Sequence, residues 1–175
     1  MGIRVENGAV NKHTLQDMYA AKLQATFAKF AKATTLRHVK VRVQPFDKHG
    51  LMPAPAWSQD DSLVVTYDPD KGSILSADNL LRLKGLLIHE LSHVMYTPRE
   101  RTDIGKWVRS KNLWSTFNIL EDNRIENLMV TNLSGISPWL VHTIGVELLS
   151  EDPHSLLPLV WGRKYLPESV RLMLS

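Results

Sequence analysis

Apolar positions recur along this chain with two different periods. Leu15, Met18, Tyr19, Leu23, Phe27, Phe30 and Ala31 stand three and four residues apart, the spacing of one helix face. Thr14 with Asp17 resembles a capping arrangement, so the pattern predicts a helix from Leu15 to about Ala33 with those apolar residues in the core. Val39, Val41 and Val43 then alternate with Lys40, Arg42 and Gln44, which predicts a half-exposed strand. Residues Pro45 to Gln59, rich in proline, read as a loop. Leu63-Val64-Val65-Thr66-Tyr67 reads as a second strand and Asp68 to Gly72 as a turn.

Ser76 is the expected N-cap of a long helix that runs through Leu80 to Ile88 and on to about Tyr96. Thr97-Pro98 should end it, because the residue before a proline disfavours the helical region. The charged stretch Arg99 to Lys111 is expected to be irregular, with a short helical piece around Ile104–Val108. Further helices are expected over Asn112–Val130, from Ser137-Pro138 to about Leu149, and from Pro167. Two short strands among many helices predict an α+β fold, mostly helical with a small sheet, as a single domain over residues 1–175. Apolar Val170, Leu172, Met173 and Leu174 are still running at the end, so the sequence is expected to be the N-terminal part of a longer protein.

Composition changes this picture in two places. The chain has no cysteine, so any metal must be held by His, Asp or Glu, and no disulfide is available. The formal net charge of +3 is uneven. Residues 1–50 carry nine Lys and Arg against three Asp and Glu, the remainder twelve against fifteen. A basic first third could meet nucleic acid, but its lysines are dispersed and lack interleaved aromatics, so a solvated helix face and a protected edge strand are the preferred reading. The first residues lack the apolar core of a secretory signal, and the apolar stretch Pro138–Leu149 is too short and too polar to span a bilayer. No membrane association is expected, and the expected location is the cytoplasm.

The candidate chemistry sits in the long helix. His89-Glu90-Leu91-Ser92-His93 is an HExxH pentad. Residues four apart lie on one helix face, about 6 Å apart along the axis, so both imidazoles can reach one Zn²⁺. Glu90, one position on, falls beside the metal, where a carboxylate can take a proton from an attacking water. Ile88, Leu91, Val94 and Met95 make the surroundings apolar, and buried imidazoles need partners.

A catalytic zinc needs a third protein ligand. The extended pattern with a third histidine is absent, since Tyr96 and Arg99 occupy the positions of its glycine and histidine. The best source is the acidic helix Asn118-Ile119-Leu120-Glu121-Asp122-Asn123-Arg124-Ile125-Glu126. Glu121 and Asp122 point about 100° apart, so they are not equivalent ligands. Asp122 and Glu126 are four apart, so one could bind metal while the other fixes a histidine tautomer.

The pentad, Tyr96-Thr97, and Asn118 with Leu120–Glu126 together resemble a gluzincin-like family of HExxH metallopeptidase domains from bacterial and phage proteins. Members often precede a von Willebrand factor A domain and are encoded near a MoxR-type AAA ATPase. The resemblance covers about a fifth of the chain. It implies a zincin-like core in which a small sheet supports an active-site helix and a glutamate helix, with His89, His93 and Glu121 as zinc ligands. It also implies a von Willebrand domain and an ATPase as partners, in a bacterial or phage-infected cell.

The expected function is zinc-dependent hydrolysis of a protein or peptide substrate, with Glu90 as general base and Tyr96, Arg124 or His142 as donors to the oxyanion. Two alternatives remain: a non-hydrolytic zinc-stabilised structural or binding module, and a nucleic-acid-associated domain using the basic first third.

Overall fold

A computed structural model describes residues 12–50, 54–98 and 102–148. These form the α+β fold that the hydrophobic pattern predicts. The elements run α1 (Lys12–Thr35), β1 (Lys40–Pro45), β2 (Ala56–Gln59), β3 (Ser62–Tyr67), α2 (Ala77–Tyr96), α3 (Asp103–Ser110), α4 (Trp114–Asn132), a 3-10 turn (Ser134–Ile136) and α5 (Ser137–Leu148). The helix expected from Pro167 lies outside the described residues.

The sheet has the order β1-β3-β2. β3 is central, which is why Leu63 to Tyr67 is a continuous buried run rather than an alternating one. It pairs in parallel with β1, Val41 opposite Leu63 and Val43 opposite Val65. β1 is an edge strand and keeps its alternation, with Val41 and Val43 buried and Lys40 and Arg42 in solvent. Its edge is managed twice: by those cations, and by Gln24 of α1, whose Oε1 accepts from the Val43 amide at 3.1 Å. Lys22, Lys29 and Lys32 are exposed on α1, and Lys40 and Arg42 on this edge.

β2 falls inside the stretch expected to be a loop. Its four residues pair antiparallel with β3 through the two-residue turn Asp60-Asp61, where Asp60 adopts a left-handed φ of 52°. Ala56 to Gln59 carries no apolar alternation, so pattern alone could not find it. The pairing is anchored from upstream, since the Pro55 carbonyl accepts from both the amide and the hydroxyl of Thr66, at 2.9 and 2.8 Å.

The first helix exists as expected, with Phe27 and Ala31 of its expected face buried and Tyr19, Leu23 and Phe30 packed against the core, and it departs from expectation only in its first turns. Gln16, Ala20, Phe27 and Ala31 are buried, whereas Leu15 and Met18 are exposed. Gln16 can hold a core-facing position because its side-chain amide donates to the Pro69 carbonyl at 3.2 Å, tying α1 to the turn after β3. α3 is a full helix where only a short helical piece was expected. Thr102 caps it, its side chain accepting from the Gly105 amide. Asn112, with φ of 54°, turns the chain into α4 two residues later than the sequence suggests.

α2 is the hub. Ser76 caps it as expected, accepting from the Asn79 amide at 3.2 Å. Leu83, Leu86, Leu87, Ile88 and Leu91 are all buried, so the helix is covered on several sides, by the sheet, α4 and α5. Arg82 ties three elements together, bonding Glu147 of α5 and the Thr66 carbonyl of β3. The hydroxyl of Thr143 on α5 donates to the Arg82 carbonyl at 3.1 Å. This closeness requires Gly85: a Cβ there would stand 1.9 Å from Thr143 Oγ1 and 2.4 Å from the Trp139 carbonyl oxygen.

Gly85→Ala should therefore force α5 off α2. Overpacking of this kind costs about 3 kcal/mol, and at this chain length should lower the thermal midpoint by about 6–12 °C. A melting curve that superimposes on the wild type would contradict the close helix crossing.

Candidate metal centre

α2 presents both histidines of the pentad on the side facing α4. Their ring centroids lie 4.9 Å apart, with planes at 83°. Each ring has its Nδ1 engaged by the protein. His89 Nδ1 donates to Glu126 Oε1 of α4 at 2.8 Å, and His93 Nδ1 lies 2.8 Å from the Thr97 hydroxyl. Both Nε2 atoms then approach one carboxylate oxygen, Asp122 Oδ1, at 3.9 Å for His89 and 3.2 Å for His93.

Among the described residues, His89, His93 and Asp122 form the one group of three His, Asp or Glu side chains whose ligand atoms all lie within 4.8 Å of one another. Two ligands on a tetrahedral zinc, each about 2.0–2.1 Å from it, stand about 3.4 Å apart. The two distances to Asp122 Oδ1 bracket that separation, which makes the three side chains a candidate set of ligands for a small divalent cation. Each keeps about a fifth to a quarter of its surface exposed, so the group is reachable from solvent.

The acidic helix divides its labour differently from the expectation drawn from resemblance. Glu121, expected as the third ligand, is not brought to the histidines. It is buried and turned into a two-pronged pair with Arg124, whose Nε and Nη2 donate to its two oxygens at 2.7 and 2.6 Å. The same Arg124 Nη2 donates to the Tyr96 carbonyl at 2.7 Å. Glu121 and Arg124 therefore clamp the last turn of α2 to α4. Asp122, about 100° further round, faces both Nε2 atoms, and Glu126, one turn on, bonds the His89 Nδ1.

Glu90 is 7 % exposed, and its negative charge is close enough to favour the protonated form of His89. Of the three donors considered for an oxyanion, Arg124 is committed to the clamp. The Tyr96 hydroxyl accepts from Asn132 Nδ2 at 2.8 Å. His142 on α5 has a buried Nε2 without a hydrogen-bond partner, but it is not among the converging ligand atoms. Sequence reasoning gave Thr97 no contact with the histidines, reading it as the residue that stops the helix and as part of the resemblance. The available signal was a hydroxyl four residues after the second histidine.

Burial alone would push the His89 pKa down. The hydrogen bond and charge of Glu126, with the charges of Glu90 and Asp122, outweigh it and raise the pKa from 6.5 to about 9. The folded protein thus binds this proton more tightly than the unfolded chain does. The resulting stability is full below about pH 6.5 and is lost as the pH rises through about 9. In chelator-treated protein followed by NMR, the His89 ring should titrate near 9, and Glu126→Gln should move the midpoint down. A wild-type midpoint near 6.5 would contradict the His89–Glu126 bond.

No protein-family model, no curated protein and no solved structure matches this chain.

Proposed function

We propose that the chain is a zinc-dependent metallopeptidase of the HExxH type, with His89, His93 and Asp122 as the metal ligands and Glu90 as the general base. The observation that carries this reading is the convergence of two imidazole Nε2 atoms and one carboxylate oxygen, with both Nδ1 atoms already engaged elsewhere. A metal so held has three protein ligands and room for a fourth, the arrangement of catalytic rather than structural zinc. Bound there, zinc would acidify water and polarise a scissile carbonyl.

The chain's own groups then have defined tasks. Glu126 keeps the His89 imidazole turned so that its Nε2 faces Asp122. Glu90, next to His89 in sequence, accepts the proton of the attacking water and returns it to the leaving amine. Glu121 and Arg124 hold the two helices at the separation the ligands need. The partial exposure of the ligand side chains favours this reading over a sealed structural site.

A von Willebrand domain and an ATPase as partners, and a bacterial or phage cytoplasm, belong to the same proposal, whereas the glutamate ligand that the gluzincin-like resemblance implies does not, because Asp122 stands in its place. Among the described residues no helix is long and apolar enough to cross a membrane.

Zinc analysis of purified variants, with turnover of an unfolded protein such as casein, tests the reading. Asp122→Ala should lose zinc, and Glu121→Ala should keep it while melting at a lower temperature. Glu90→Gln should keep zinc and lose hydrolysis by about 100-fold or more. Wild-type turnover by Glu90→Gln would contradict the proposed base, and full zinc in Asp122→Ala the proposed ligand.

A further inference from the structure

The two histidines are held by partners of different chemistry, and this difference reaches beyond the ligand set. His89 faces Glu126, a buried carboxylate that accepts only. His93 faces Thr97, a neutral hydroxyl that can accept or donate. Thr97 reaches His93 because of how α2 ends. Pro98 follows it, so Thr97 leaves the helical region, with φ −72° and ψ 128°. Its amide still donates to the His93 carbonyl at 3.1 Å, and its side chain returns to the ring of the same residue. The helix stop and the imidazole contact are therefore one local structure.

We propose that Thr97 is a positioning residue for the metal centre, whose hydroxyl holds His93 in the orientation that turns Nε2 toward Asp122 and accepts a hydrogen bond from its Nδ1–H when Nε2 is bound to a metal. This rests on the metal reading above and adds a residue that it does not require. The same hydroxyl, rotated to donate to Nδ1, leaves an Nε2–H facing Asp122 Oδ1 at 3.2 Å. His93 is thus satisfied in either tautomer, whereas His89, bonded to a carboxylate, keeps its proton on Nδ1.

Zinc affinity measured by competition with a chromogenic chelator tests this in full-length protein. Thr97→Val keeps the branched shape and the extended backbone but removes the hydroxyl, and should weaken zinc binding about ten- to a hundredfold. Thr97→Ser should restore most of that affinity. The helical circular dichroism of both variants in excess chelator should match the wild type. Unchanged affinity in Thr97→Val would overturn the proposal. So would a Thr97→Ser variant as weak as Thr97→Val, or a loss of affinity accompanied by a loss of helical signal, which would make Thr97 a helix stop only. A wild-type chain that takes up no zinc would overturn this proposal together with the reading it rests on.

Discussion

An imidazole that is largely withdrawn from water needs a partner on each nitrogen, and two such rings on one helix face set the terms for everything around them. Here α2 carries His89 and His93 one turn apart, and α4 supplies what they need: Glu126 for one Nδ1 and Asp122 between the two Nε2 atoms. The α2–α4 separation is thereby fixed by hydrogen-bond length, not by apolar packing alone. Glu121 and Arg124 brace it from the adjacent face of α4. On another side of α2, Gly85 lets α5 approach until Thr143 bonds the backbone of Arg82. The helix that carries the chemistry is thus held by bonds on both sides, which suits a site whose ligand atoms must stay within a fraction of an ångström.

The charge pattern follows from the same arrangement. Three carboxylates, Glu90, Asp122 and Glu126, lie around His89 and hold a proton on it well above the ordinary histidine range, against the effect of burial. A cluster of that charge is suited to a divalent cation, which would take over the role of the proton. The remaining acid of the segment, Glu121, is neutralised by Arg124 instead, so Asp122 alone of the two neighbouring acids faces the imidazole Nε2 atoms.

Much of this was legible in the sequence, for physical reasons. The pentad specifies residue types and spacing at once, and a run such as Leu80 to Ile88 can hardly be anything but a buried helix. The i, i+4 relation of Asp122 and Glu126 already allowed one to bind metal and the other to orient a histidine. What sequence could not decide was the rotation of α4. Glu121 and Asp122 differ by one position, and the choice depends on Arg124 finding the Tyr96 carbonyl, a contact 28 residues away. The first turns of α1, where Leu15 and Met18 are exposed and Gln16 is buried, departed from the expected face for a similar reason. Its apolar residues occupy two overlapping faces, and Gln16, a polar residue, selects one of them through its bond to the Pro69 carbonyl. β2 was invisible because a four-residue edge strand owes its existence to β3 and the Asp60-Asp61 turn rather than to its own pattern.

The central claim is that α2 and α4 bring His89, His93 and Asp122 together as a single metal site. Anomalous diffraction at the zinc edge from crystals of the zinc-loaded protein tests it most directly. The account predicts one peak within bonding distance of His89 Nε2, His93 Nε2 and an Asp122 carboxylate oxygen, with Glu121 still on Arg124. A peak ligated by Glu121, or no peak between the two histidines, would contradict it.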